Sequence, residues 1–291
     1  MLPTLSLLLI LLSTFAQTAH LAPDPPKACS ACDEWNANLA PFKLYGNTYY
    51  VGTAGLSAVL VTSSAGHVLL DAALPQSAPI IDAHIRALGF KTEDIKLILT
   101  SHAHYDHVGG VAALQRYTGA VVAASESSAR ALRQGSPTDD DPQKAIPGNG
   151  FPVVANVRTI QDGETQRVGP LALTPHFTPG HTPGSTTWTW QSCEADRCRD
   201  IVYADSLNAV SADDFRFTDR AAHPRLVDAF RKSITTVEAL PCEVMVSVHP
   251  GLSGLDRKIA SGTFVDPGGC KAYAATMRRT LETRISSETR R

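Results

Sequence analysis

An excess of charge of either sign is missing from this sequence. Its 291 residues hold 26 Lys and Arg against 28 Asp and Glu, a formal net charge of −2. Such a balance supplies no basic surface able to follow a nucleic-acid backbone, and no run of like charges marks a solvated tail. Long apolar runs are missing too. Leu5 to Leu12, LSLLLILL, is shorter than the ~20 residues a spanning helix needs. No Cys follows that run directly, which argues against a lipid anchor. The set S-x-x-K with S-D-N and K-T-G does not occur, so a serine nucleophile activated in that way is excluded. No Pro/Gly/Ser-rich linker divides the chain. One domain over residues 20–291 is expected, because a single large α/β domain can fill this length.

What the first residues do contain points to export. The apolar run is followed by small residues, STFAQTA, and this reads as a secretory signal over 1–19, cleaved after Ala16 or Ala19. The lack of Lys or Arg ahead of the run departs from that pattern. Six cysteines suit an exported, periplasmic protein. Their order suggests three local pairs. Cys193 and Cys198 flank EADR, a turn between two strand-like stretches. Cys242 starts a strand and Cys270 precedes the last helix, so a bond between them would be worth about 3–4 kcal/mol in the chain-entropy model. Cys29 and Cys32 either pair with each other or stay free. A redox or zinc role for CSAC finds little support, since no βα pattern follows it.

Strand signals begin at Phe42. FKLYGNTYYVGT reads as a hairpin around Gly46-Asn47, and SAVLVTSSAGHVLLDAA as a second around Ser64-Ala65-Gly66. Ile80, Ile81, Ile85 and Leu88 then recur at helical spacing up to Gly89. IKLILT is a buried strand, VVAAS another, and SSARALR a helix. Residues 134–150 are loop by composition. The second half repeats the rhythm with VRTI, LALTPHF, TTWTWQ and DIVYAD, a helix through Leu226, Phe230, Ile234, Val237 and Leu240, the strand EVMVSV, and a last helix over 271–286. Two halves of strands then helix predict two packed sheets with helices outside.

The strand IKLILT runs into SHAHYDHVGG, where His102, His104, Asp106 and His107 crowd into six positions. His102 and His104, two apart at a strand end, project to one side. Asp106 and His107 come as the chain turns into a helix expected near Gly109. Helix capping could explain Asp106 alone, but not three histidines beside it. His181, in TPGHTPGS, and His249, at the end of EVMVSV, sit in similar strand-end or turn settings and are the natural further ligands. Three neutral imidazoles suit zinc and leave a tetrahedral position open for water. His20, His67, His84, His176 and His223 carry no such signal and are read as structural or solvated.

H-x-H-x-D-H after a buried strand resembles the metallo-β-lactamase superfamily, from about Phe42 to the C-terminus. GHTPGS, YADSL and HPG, with Cys242 and Cys270, resemble the third subclass of class B β-lactamases. The resemblance implies a four-layer αββα sandwich and two Zn2+ per chain. His102, His104 and His181 would hold the first, and Asp106, His107 and His249 the second. It also implies zinc-dependent hydrolysis of the β-lactam ring amide of penicillins, cephalosporins and carbapenems by a metal-bound hydroxide. Asp106 would orient the attacking oxygen, and Ser206 and Asn208 would hold the substrate carboxylate. Ser206 stands where some β-lactamases place a Cys ligand. Asp205 either bridges metals, as in other hydrolases of the superfamily, or lies behind the ligands, and the second reading is preferred. Some relatives tie the segment matching VGTAG to the N-terminal region through a Cys; here it is Ala54. The expected partner is a small-molecule substrate, with neither nucleic acid nor membrane.

Other readings compete. A thioesterase of the glyoxalase type would carry an extra helical domain, and only 42 residues follow His249. A nuclease of the superfamily would bring a basic surface. A lactonase, or an exported zinc-binding protein without catalysis, would share the ligand set.

Overall fold

The computed structural model describes residues 21–290; the expected signal over 1–19 lies outside them. In chain order the elements are α1 (Cys32–Trp35), β1 (Phe42–Tyr45), β2 (Thr48–Tyr50), β3 (Val59–Val61), β4 (His67–Leu70), α2 (Ala78–Ala87), β5 (Ile95–Leu99), α3 (Tyr105–Val108), α4 (Val111–Thr118), β6 (Val121–Ala124), α5 (Glu126–Gln134), β7 (Val157–Thr159), β8 (Gln166–Val168), β9 (Leu171–Phe177), β10 (Thr186–Glu194), β11 (Arg197–Ala204), α6 (Leu226–Ala239), β12 (Val244–Ser247), α7 (Leu255–Ser261) and α8 (Gly269–Thr289). A seven-stranded sheet runs β1-β2-β3-β4-β5-β6-β7, and a five-stranded sheet runs β12-β11-β10-β9-β8.

Period-two alternation builds the layers. In β5, Leu97 and Leu99 face the space between the sheets while Ile98 faces helices. In β11, Ile201 and Tyr203 point inward and Val202 and Ala204 point toward α6 and α8. The result is helices, sheet, sheet, helices. Each fully buried Leu or Ile contributes about 1.5–3 kcal/mol of transfer free energy, so both the inter-sheet layer and the layers under the helices hold the fold together.

The expected strands are present, with differences at short or irregular places. β8 was not expected: three residues, QRV, carry no readable period. The lead-in, expected to be irregular, contains the single turn α1. Pro175 sits inside β9 opposite Trp188. It is tolerated because β8 pairs only with Leu171–Leu173, leaving β9 an edge at that point. Residues after His249 form α7 and α8, and α8 packs on α6 and the second sheet.

All six cysteines are bonded as Cys29–Cys32, Cys193–Cys198 and Cys242–Cys270. Cys193 and Cys198 flank the turn between β10 and β11, as expected, and stand directly opposed in that ladder. No helix among the described residues is long and apolar enough to cross a membrane.

Candidate metal centre

His102 and His104 follow β5, and Asp106 and His107 lie on α3. The helix expected near Gly109 is α4, which begins at Val111, and the single turn α3 precedes it. Gly109 and Gly110 then let the chain run on into α4. A Cβ at Gly109 would stand 2.4 Å from Pro75 Cδ, and one at Gly110 2.5 Å from the Ala72 carbonyl oxygen. His181 comes from the loop between β9 and β10, and His249 from the end of β12. Strand ends from both sheets therefore meet at one edge of the sandwich.

There the six side chains form two groups. His102, His104 and His181 offer ligand atoms within 4.8 Å of one another, as do Asp106, His107 and His249. The groups adjoin: the rings of His102 and His107 lie 4.3 Å apart between centroids. Asp106 Oδ2 is 3.2 Å from His107 Nε2 and 3.5 Å from His249 Nε2. His102 Nε2 and His107 Nδ1 are buried without a hydrogen-bond partner. Buried polar atoms left unpaired are costly. Converging lone pairs of this kind fit bound cations.

Behind the first group stand oxygen acceptors. Asp205 Oδ1 lies 2.6 Å from His102 Nδ1. The Asp141 carboxylate oxygens lie 3.1 and 3.2 Å from His104 Nε2. The Asn208 carbonyl oxygen lies 2.8 Å from His181 Nδ1. Such partners fix the ring orientation of a ligating histidine. Asp205 thus lies behind His102, as preferred. Asp141 escaped the sequence reading, because the loop 134–150 shows only turn composition. Asp71 was also missed. It follows β4 in left-handed backbone (φ 56°). It accepts hydrogen bonds from Ser101 N (2.8 Å), Ser101 Oγ (2.6 Å) and Tyr203 Oη (2.8 Å). Its signal was an acidic residue closing the apolar run HVLLD.

Burial and mutual charge set the electrostatics of the metal-free chain. Burial, reinforced by neighbouring imidazoles, holds His102 well below its ordinary range and brings His181 and His249 to about 4. Burial also pushes His107 down, but Asp106 outweighs it and the net shift is upward. Burial raises Asp106, yet His107 and its neighbours hold it well below the usual carboxylate range. Asp71 is pushed up to about 6 by burial.

A cleft of about 380 Å³ opens on both groups. Ser206 and Asn208 line it, with Trp35, Tyr105, Gln143 and Leu252. Asn208 also contributes its main-chain carbonyl to His181, a role its residue type did not announce. A larger groove of about 830 Å³ lies toward the Cys193 end of β10 and contains none of the titratable cluster; the chemistry belongs to the smaller cleft. The loop 52–57 is joined to the lead-in without a cysteine. Thr53 Oγ1 donates to Trp35 O (2.6 Å), Gly55 N to Trp35 O (3.1 Å) and Ala54 N to Ala37 O (2.9 Å). Trp35 in turn packs 5.4 Å from His249. His84, read as structural, bonds Val51 O and Asn38 Oδ1.

Two sheets, flanking helices and a pair of adjoining triads at their edge define a metallo-hydrolase with a dinuclear site. The chain belongs to the metallo-beta-lactamase superfamily, whose sequence pattern matches residues 52–249. Its structure is similar to that of Rm3 metallo-beta-lactamase, with 51% identity and a TM-score of 0.87, covering 90% of this chain and 100% of that one. MEM-A1, a subclass B3 metallo-beta-lactamase from a soil metagenome library, is 46% identical with a TM-score of 0.85, covering 88% and 98%. A hydroxyacylglutathione hydrolase of Anaeromyxobacter dehalogenans is 28% identical over 61% of this chain and 55% of its own length. The chain spans about half the length of the curated relatives it matches.

Proposed function

We propose that this chain hydrolyses the ring amide of β-lactam antibiotics and works with two Zn2+. His102, His104 and His181 would hold the first, and Asp106, His107 and His249 the second. The observation that carries the reading is the pair of triads with converging ligand atoms at the floor of a cleft bordered by Ser206 and Asn208. The likeness to Rm3 and MEM-A1 across nearly their whole lengths supports the substrate class. The three disulfides support an oxidising compartment, for which the periplasm is proposed.

Zinc, when bound, supplies Lewis acidity and brings the pKa of water toward ~7. The chain's own residues supply position. Asp106 stays ionised beside His107 and His249, so it is placed to orient the attacking water. Ser206 and the Asn208 amide are placed to hold a substrate carboxylate. Neither serves as nucleophile. Among the described residues no imidazole or lysine hydrogen-bonds to the Ser206 hydroxyl, and a serine route needs such a base. The test is hydrolysis of a penicillin and a carbapenem beside a homoserine lactone and a glutathione thioester, with metal content measured on the same samples. Turnover of the thioester or lactone with none of the β-lactams would overturn the reading.

A further inference from the structure

Strand β11 ends at Ala204, whose carbonyl takes the Val248 N–H at 3.1 Å. Past that link the ladder stops, and the main-chain groups of residues 205–207 need other partners. Two hydroxyls supply three of them. Thr187 Oγ1, on β10, accepts from Asp205 N at 3.2 Å. Tyr273 Oη, on α8, donates to Asp205 O at 2.8 Å and accepts from Leu207 N at 3.1 Å. Both residues are buried, Thr187 at 0% and Tyr273 at 2% exposure. Cys270, three residues before Tyr273, is bonded to Cys242, so the turn of α8 that presents the phenol is covalently tied. Among the described residues, apart from Asp205, only Ser101 Oγ, at 3.5 Å, approaches His102 Nδ1.

We propose that Tyr273 and Thr187 are positioning residues for the first triad: together they grip the Asp205 peptide at both ends and thereby aim the carboxylate that orients His102. The inference rests on the reading of His102 as a metal ligand. A phenol bridging the carbonyl of one residue and the N–H two further on fixes the turn that carries Asp205. The same turn sets Ser206 against the cleft. Helix α8, remote from the substrate, thus reaches the metal centre through one hydroxyl.

The experiment compares the metal-free full chain with Tyr273→Phe, Thr187→Val and Thr48→Val. Thr48 is buried and accepts the Trp190 Nε1 hydrogen bond at 3.0 Å, away from the triads, so it reports loss of a buried hydrogen bond alone. Zn2+ and Co2+ are titrated against a chelator, and the His102 Nδ1–H proton is followed by NMR. The expected result for Tyr273→Phe and Thr187→Val is about tenfold weaker binding at the first triad, the lower end of the loss seen when an outer partner of a ligand is removed. The Nδ1–H signal should also shift or broaden. Thr48→Val should lose Tm but keep wild-type metal affinity and signal. If Tyr273→Phe does not fold, Thr187→Val carries the test. Unchanged first-site affinity and an unchanged Nδ1–H signal in the folded variants would overturn the proposal. A wild-type chain that takes up no metal at the first triad would overturn the underlying reading instead, and the Nδ1–H signal would still decide whether the grip orients His102.

Discussion

Behind each histidine of the first triad stands an oxygen: Asp205 for His102, Asp141 for His104, the Asn208 carbonyl for His181. The second triad is held differently. His107 Nδ1 is 4.0 Å from Asp71 Oδ2, beyond hydrogen-bond length. The side chain of His249 is 26% exposed and leans on the Gly55 backbone and the Trp35 ring. The first group is aimed before any cation arrives. The second takes much of its shape from the N-terminal lead-in and from charge pairing between Asp106 and its two imidazoles. Every ring of the first triad is oriented by an oxygen partner, whereas the second depends on ionisation and loop contacts.

The largest expected effect comes from breaking either group at a residue with no substitute. Asp106→Ala should empty the second site and cost about 10³-fold in kcat, since a cation's stabilisation of developing charge is worth several kcal/mol. His181→Ala should strip the first site instead. Metal analysis of the two purified variants against wild type checks both, and two metals retained in either would contradict the grouping.

Removing a supporting oxygen should cost less. Asp205→Asn and Asp141→Asn are each expected to weaken the first metal about 10–100-fold, as is usual for partners behind a ligand. Asp71→Asn should leave that affinity nearly unchanged, because its carboxylate touches no first-triad ring. Chelator competition on the metal-free variants measures all three. Equal losses would mean the two triads share one support.

Acid sharpens the same contrast. A proton must leave each ligand before a cation binds. In the metal-free chain His107 is raised above its ordinary 6.5, while His181 is brought down to about 4. As pH falls through the region above 6.5, protons begin to compete at His107 in the second triad. His181 stays neutral until pH nears 4. Metal content followed from pH 8 to 4 should therefore fall first at the second triad. Simultaneous release from both would count against this order.

Most of this centre was legible because its ligands lie where apolar strands end. A strand end is readable from a run such as IKLILT, and His102, His104 and His249 are each adjacent to one. His181 was readable from its Gly/Pro turn together with the strand TTWTW after it. The strands β5, β10 and β11 were legible from the runs IKLILT, TTWTWQ and DIVYAD. What was not legible depends on contacts between segments far apart in the chain. Asp141 reaches His104 from a loop whose composition says only that it turns. Tyr273 looks like an ordinary core position of α8. Trp35 lies in a lead-in without periodicity, yet its carbonyl fastens the loop at Thr53 and Gly55. Short β8 and single-turn α1 were missed because three or four residues carry no period.

The smallest expected effect belongs to Ser206. It is 1% exposed as a residue, lines the cleft, and follows Asp205 in the gripped turn. If its hydroxyl only positions substrate or water, Ser206→Ala removes one hydrogen bond, worth about 0.5–1.5 kcal/mol. That converts to a change of about 2- to 12-fold, expected in KM more than in kcat, with both metals retained. The alternative is that the hydroxyl attacks and forms an acyl-enzyme. Ser206→Ala would then abolish turnover while leaving the metals in place, and a covalent adduct would appear on Ser206 by mass spectrometry during turnover. The absence of a neighbouring base among the described residues argues for the first outcome. So does the ring of metal-type ligands beside it, because under the proposed mechanism a water oriented there by Asp106 would need no serine. A dead Ser206→Ala variant holding two metals would assign the nucleophile to the protein and remove that role from the two triads.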